Sequence, residues 1–482
     1  MSSIRDLPEI AGLDARRGMV RIPPEVDVPL TPRVRRLIDA ADFRRLARIS
    51  QLGLVPLVYP AAIHTRFEHS LGVYRTALLF LQQLSHDERF AATIGPADAE
   101  LFIAAALLHD IGHWPFCHPI EDIHLPDVPR HESFANGYLL DEPIQKRPAE
   151  KGTVPFCSED FTKGDSPRPL SGEIANVLRG EWHLEPRDVA ALVSKEATDT
   201  ARPDTKSRIL SSMLSGPIDV DKMDYLQRDS LHAGVPYGRN FDQQRLIGSL
   251  CLNEEGDGLA ITDKGKTAAE MMVFARYVMF SEVYWHHGVR SATAMLQRAF
   301  YQLRGGLDLT QLFRLAEAPM IAELQRAAVS TPAAELLDGL FGPSRRLYKR
   351  LARYSLFEEA DLYRRLARRP YPWLVRCAEQ FAALAAGAIG QPIAPHELLF
   401  DAPPVEREVE FDFEVFFAKD HRYRRLGEIS PVVRTLAKEQ FDDYVKRVRI
   451  FAHPRIANEL RRLGRLGDLL NAAIDRTPAL GE

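Results

Sequence analysis

Apolar residues along this chain recur mostly at intervals of three and four, the spacing that gathers them on one side of a helix. Leu37, Ile38, Phe43, Leu46 and Ile49 follow the rule behind Thr31-Pro32, a capping residue and a proline suited to a first turn, and Gln51-Leu52-Gly53 ends that segment. A second helix is expected from the Ile63 to Val73 junction to about Leu84, and a third, Leu101 to Leu108, is apolar almost throughout. Helix is again expected over 171 to 215, at Ile218 to Asp229, from Thr267 to Arg304, and between 308 and 390, with a turn at Asn253 to Gly258. Alternation, the mark of strands, is confined to a small proline-broken hairpin in 16 to 29 and to Val409–Phe417 and Val445–Phe451. A helix at Ser430 to Tyr444 and a last one from Ala457 complete the pattern. The chain therefore reads as mainly α-helical, with a body over 1–305, a helical extension over 306–400 and a small α+β lobe over 401–482. Residues 141–169, rich in Pro, Gly, Lys and acidic side chains without a period, read as an exposed insertion in the body.

Composition narrows the class. The 482 residues, 45% hydrophobic and 27% charged, are ordinary for a globular protein with a large core. A net charge of −4 gives no bulk attraction to nucleic acid, so a polyanion would need a local patch. Cys117, Cys157, Cys251 and Cys377 are far apart, which argues against a disulfide framework and against a thiolate zinc site. With charged residues through the first thirty positions and no apolar run of membrane length, the expected location is the cytoplasm and no membrane partner is expected.

The chemistry concentrates where the apolar helix Leu101 to Leu108 runs into His109-Asp110, with Gly112 and Pro115 stopping it at once. Imidazole and carboxylate are expensive to bury there without hydrogen bonds, charge partners or a metal, so a cation is the first hypothesis. Upstream, His64, Arg66, Glu68 and His69 fall within six positions at a loop-to-helix junction; packing or capping and a pocket are equally open readings. Downstream, Asp221, Tyr225 and Asp229 recur every four residues and share a helix face; carboxylates so spaced need a reason, and a solvated acidic face neutralised by Lys222 and Arg228 is the less favoured reading.

Taken in order, His69, His109-Asp110 and Asp221 resemble the H…HD…D signature of the HD-domain metal-dependent phosphohydrolases. Gln51-Leu52-Gly53, Val58-Tyr59-Pro60, Arg66 to Gly72, His109 to His113, Pro115 to His118 and Asp219 to Tyr225 extend that resemblance to the deoxynucleoside triphosphate triphosphohydrolase branch, over about 15–300. The resemblance implies hydrolysis of dNTPs to deoxynucleoside and inorganic triphosphate, with a divalent ion (iron, manganese, magnesium or zinc) on His69, His109, Asp110 and Asp221. It implies that His118 serves the leaving 5′ oxygen, oriented by Glu121 or Asp122, with His131-Glu132 as the next catalytic pair. His113, Arg66 and Lys222 are implied phosphate contacts. Gln51, Tyr225 and Asp229 would hold the sugar 3′ hydroxyl, and Leu52 with Tyr284 would leave no room for a 2′ hydroxyl; without the resemblance, Tyr284 reads as core. An HD-type phosphodiesterase, nucleotidase or nuclease, or a catalytically silent nucleotide sensor, are the alternatives. The chain departs from the pattern at Ala61, Trp114 and Cys117: Trp114 is expected to narrow the phosphate pocket or to change substrate preference, and Cys117 to be a packed thiol.

Arg345, Arg346, Lys349, Arg350 and Arg353, followed by Arg364, Arg365, Arg368 and Arg369, form the densest basic region. A solvated helical face is the plain reading. Arg345 to Lys349 also resembles an Arg-x-Leu-Phe/Tyr-Lys element that, in nucleotide-activated relatives, contacts a regulatory triphosphate at a subunit interface, implying an activator and a homo-oligomer; a nucleic-acid surface is a third, less favoured reading.

Overall fold

The expected hairpin opens the chain: β1 (Met19–Ile22) pairs antiparallel with β2 (Val26–Pro29). This computed structural model describes residues 3–140, 172–194, 204–403, 413–436 and 445–479, so the insertion at 141–169 and most of the helix expected at Ser430 to Tyr444 lie outside the described residues. Thr31 caps α1 (Pro32–Asp39) by accepting from the Val34 amide, and Thr65 caps α2 (Arg66–Leu84) through the Glu68 amide. α3 (Pro96–Leu108) is buried on nearly every side, as an apolar run without a polar face requires. Short α4 (Cys117–Glu121) and α5 (His131–Leu139) follow it, and Asp219 caps α6 (Val220–His232) through the Lys222 amide. α2 lies against both α3 and α6, so three segments remote in sequence meet along one helix.

The single helix expected from Thr267 to Arg304 is instead α7 (Lys266–Met279), a π turn at Phe280–Tyr284 and α8 (His287–Leu303). Partners far along the chain hold the break open. Tyr59 donates to the Glu282 carbonyl at 2.8 Å, and Arg449 to the Trp285 carbonyl at 2.8 Å. Gly288 lies so close to Val58 that an added Cβ would fall 2.9 Å from its Cγ2.

The region 308 to 390 is helical except where its basic charges are densest. There, Lys349–Tyr354 forms β5, which pairs with β9 (Val448–Ala452), and the helical-face reading of Lys349 to Arg353 is thereby corrected. The physical reason is position: the sheet order is β5-β9-β6, with β6 spanning Leu398–Asp401, and charged side chains suit an edge strand. β7 (Glu414–Phe417) and β8 (Arg422–Arg425) form a hairpin that joins β3 (Leu250–Leu252) and β4 (Leu259–Thr262), with β7 parallel to β4. Strands expected for the C-terminal lobe are thus shared with earlier segments.

Among the described residues two apolar cores result. The larger surrounds α2, α3 and α8; the smaller draws Trp373, Phe381, Phe400, Ile450 and Leu470 together from the extension and the tail. Among the described residues, no helix is long and apolar enough to cross a membrane.

Candidate functional site

His69 stands in the first turn of α2, His109 at the C-cap of α3, and Asp221 in the first turn of α6. His69 Nε2 lies 3.2 Å from His109 Nε2 and 3.1 Å from Asp221 Oδ1, and the last two are 3.8 Å apart. The tautomers follow from the outer nitrogens. His109 Nδ1 meets the Ala106 carbonyl at 2.9 Å and must donate to it; His69 Nδ1 meets the Asp224 carboxylate at 2.8 Å and likewise donates. The two Nε2 atoms and a carboxylate oxygen therefore face one space, a set that can hold a metal ion or, in its place, a proton on His69 Nε2 shared with Asp221. Metal bonds of about 2.1 Å at right angles put neighbouring donors about 3 Å apart, so the spacing fits a metal. Burial presses the His69 ring towards neutrality, but Asp221 and Asp224 outweigh it and carry the imidazole up to about 10, the mark of a place that favours positive charge. A nitrogen and oxygen donor set without thiolate suits iron, manganese, zinc or magnesium.

Asp110 is at the edge of this group. Its oxygens are 3.4 Å from His109 Nε2 and 4.0 Å from His69 Nε2, whereas Arg66 Nη1 donates to Oδ2 at 2.7 Å and His113 Nδ1 is 3.0 Å from Oδ1. Burial would raise this carboxyl, yet His113, Arg66 and the two other histidines hold it well below the usual range. Asp221 keeps 34% of its side-chain surface exposed, so the donor group is open on that side.

A second cluster lies beside the first. The ring centroids of His113 and His131 are 3.9 Å apart, those of His113 and His118 5.2 Å, and those of His118 and His131 5.5 Å. Phe116, at φ 57°, takes the left-handed conformation at the start of α4, an unusual posture for a bulky residue that turns the chain into His118. Gly112 permits the approach of α5: a Cβ there would fall 2.2 Å from the His131 carbonyl oxygen. Glu121 is engaged by His131, accepting from its ring at 2.9 Å and its amide at 2.6 Å, and stands 3.9 Å from His118. Asp122 faces Arg290 at 3.8 Å. Burial works against charge on His131, but Glu121 prevails and raises it; burial and Arg66 push His113 well below its ordinary value. Glu132 approaches His131 Nδ1 to 3.4 Å, and the His118 side chain remains 61% exposed.

On the other side, Tyr284 donates to Asp229 Oδ2 at 2.6 Å, His64 Nε2 meets Asp229 Oδ1 at 2.9 Å, and the Tyr225 and Tyr284 rings meet edge to face at 6.5 Å. Gln51 has a buried side-chain Oε1 with no hydrogen-bond partner, while its backbone N–H donates to the His64 carbonyl. Leu52 is half-buried against the core. Lys222, expected to face phosphate, turns its ammonium to Asp219, 2.5 Å away, and to the Gly216 carbonyl. The sequence reading missed Arg276, buried on α7, whose charge is felt by both Tyr225 and Tyr284; a single cation among Met272, Val273, Ala275 and Met279 was its signal. Arg345 bonds to the Leu57 carbonyl, and Lys349 is exposed on β5.

Trp114 departs from expectation. Its indole is fully buried, stacked on Phe313 at 4.2 Å and edge-on to Phe134, so it fills the core rather than narrowing a pocket. Cys117 is a packed thiol, as expected, pushed well above its ordinary value by burial.

Comparison with known proteins agrees with this geometry. Residues 66–152 match the HD domain, and 241–466 match the HD associated region. The chain is 33% identical over 268 residues to the uncharacterized protein YwfO of Bacillus subtilis, covering 56% of this chain and 51% of that protein. It is 28% identical over 293 residues to the human deoxynucleoside triphosphate triphosphohydrolase SAMHD1, covering 59% of this chain and 44% of that one. The chain thus spans about half the length of these relatives. A hypothetical protein from Aquifex aeolicus superposes with a TM-score of 0.65 at 25% identity, over 93% of this chain and 99% of its own.

Proposed function

The chain belongs to the HD-domain proteins, and from that premise we propose that it hydrolyses dNTPs to deoxynucleoside and inorganic triphosphate with the aid of a divalent metal. The observation that carries the reading is the convergence of His69, His109 and Asp221 between the His118–His131 cluster and the Asp229–Tyr284 pair. The name of the human relative supports the substrate class. When bound at His69, His109 and Asp221, with Asp110 beside them, a divalent ion supplies Lewis acidity towards a phosphate oxygen and lowers the pKa of water.

The chain's own groups would do the rest. His118, open to the cleft, gives a proton to the departing 5′ oxygen; desolvation and the neighbouring His131 and Arg66 hold its imidazole down at about 4, so the negative charge of a bound polyphosphate is what lets it carry that proton near neutral pH. His131, whose imidazole Glu121 fixes and raises, stands beside it, and His113, which burial holds well below its ordinary value, fills the space between His131 and Asp110. Arg66 holds Asp110 in place and, with Arg276, lines the site with guanidinium charge for the polyphosphate. The unpaired Gln51 Oε1 can accept from a sugar 3′ hydroxyl alongside Asp229 and Tyr225, and Leu52 with Tyr284 excludes a 2′ hydroxyl. Arg345 and Lys349 are proposed contacts for an activating nucleotide between subunits of a homo-oligomer.

The test is incubation of the full chain with each dNTP and rNTP, singly and in mixtures, with manganese, iron, magnesium or zinc, followed by chromatography. Tripolyphosphate and deoxynucleoside are the expected products; orthophosphate or nucleotide monophosphate would overturn the assignment. Turnover only in nucleotide mixtures is the outcome expected of an activator site.

A further inference from the structure

The outward nitrogen of His69 begins a chain of polar contacts, through Asp224, Arg228, Glu68 and His232, that the hydrolytic reading does not use. His69 Nδ1 donates to Asp224 Oδ2 at 2.8 Å. Arg228, one helical turn on, grips the same carboxylate with two bonds, Nε to Oδ2 and Nη2 to Oδ1, both 2.8 Å. Its remaining nitrogen donates to Glu68 Oε1 at 2.7 Å and to the Pro23 carbonyl at 2.9 Å. Asp224 and Arg228 are 7% and 3% exposed. An ion pair this deep is poor evidence of a stabilising device, because desolvation offsets most of its attraction. Its location, directly behind a converging imidazole, points to orientation instead.

The contacts continue to the other side of the site. Glu68 Oε1 also accepts from His232 Nε2 at 2.9 Å; the His232 ring stacks on His64 at 4.3 Å and 14°, and His64 donates to Asp229. Asp229 Oδ1 accepts from His64 Nε2, while the buried Nδ1 of the same ring has no partner. α2 makes room for the arrangement at Gly72, where a Cβ would fall 1.9 Å from Asp224 Oδ1 and 2.3 Å from Arg228 Nη2.

We propose that Asp224 is a positioning residue that fixes the tautomer and aim of His69, held in its orientation by Arg228 and Glu68, and that Glu68 joins this support to the one behind Asp229. The inference rests on the metal-centre reading above. Its chemistry is the usual one for a ligating imidazole, whose second N–H is held by an acceptor, here a carboxylate and at His109 the Ala106 carbonyl, so that the first nitrogen presents a lone pair. An amide in place of Asp224 has a single acceptor oxygen for three donors, so Asp224→Asn sets an N–H against either His69 or Arg228.

The test is Mn²⁺ binding by the full chain, read from the electron paramagnetic resonance of free Mn²⁺, with circular dichroism as the check of folding. D224N is expected to bind Mn²⁺ about 10–100-fold more weakly while remaining folded, and E68Q, which leaves Asp224 in place, to weaken binding less. Raising Mn²⁺ to saturation should restore turnover in D224N, which a general loss of structure would not allow. A second measurement uses the unaltered chain loaded with Zn²⁺ and ¹⁵N-labelled at histidine: the His69 resonance should show a protonated Nδ1. Folded D224N with parental Mn²⁺ affinity, or an unprotonated Nδ1 on His69, overturns the proposal while leaving the metal centre standing; a parent chain that binds no divalent ion overturns both. If D224N does not fold, the nitrogen measurement decides.

Discussion

His118 and Trp114 are four residues apart and end in opposite surroundings, the first open to the cleft and the second fully buried on Phe313. Their substitutions should therefore separate chemistry from stability. H118N is expected to lower kcat by about 10²–10⁴ while Mn²⁺ binding and the melting temperature stay near the parent's, since a general acid contributes to the transition state alone. W114A is expected to cost about 3–5 kcal/mol of stability, read by denaturant unfolding, with the ratio of kcat/KM between nucleotides unchanged. A shift in that ratio would return Trp114 to the pocket wall. At this scale the His109–Asp110 pair was legible because a helix that ends in two costly polar residues stands out within ten positions of sequence. Asp224 was not, because its meaning comes from His69, 155 residues away, and alone it reads as one more acid on a helix. Trp114 misled for the same reason: proximity in sequence to His113 says nothing about the side to which the indole turns.

Among the elements, α2 is the one on which the site depends, because it brings His69 against α3 on one side and α6 on the other. G72A, a change that ordinarily favours a helix, should here force α6 outward, lowering both the melting temperature and the Mn²⁺ affinity. Retention of both would show that the Asp224–Arg228 pair can move without consequence. The N-terminal residues are tied to the same framework through Glu9, which takes two bonds from Arg33 and one from Thr31, while Arg33 also reaches Glu100 on α3. Burial alone would raise the Glu9 carboxyl, but Arg33 and Thr31 hold it below its ordinary 4.5. A depressed folded-state value gives stability that is present above 4.5 and lost as pH falls through that lower value. E9Q should therefore melt lower at pH 7 and show a smaller drop between pH 7 and pH 3; an unchanged drop would place the acid sensitivity elsewhere. Helices with a local cap and period, such as α1, α2 and α6, were legible in the sequence. The break between α7 and α8 was not, since Tyr59, Val58 and Arg449 create it from outside.

Across the whole molecule, the two cores meet at Asp401, a buried carboxylate between Arg290 of α8 and Arg449 of β9, at 2.5 and 3.5 Å. Removing one member of such a group leaves charge stranded in the interior, so D401A should cost about 3–5 kcal/mol and spread the unfolding transition as the smaller core comes loose first. A single sharp transition at the parental midpoint would refute that. The mainly helical character was readable from periodicity, and so were the strands at β7 and β9; their partners were not, because pairing joins residues such as Ile261 and Val415 that no local pattern connects. That pairing bears on how the protein can be divided. β4 has β3 on one side and the parallel β7 on the other, so a fragment ending near residue 305 would carry every proposed ligand yet leave one flank of β4 stripped to bare amides and carbonyls. Such a shortened product would invite a strand from another copy into the gap, and clumping on purification would then reflect a severed sheet rather than a fault in the reaction centre.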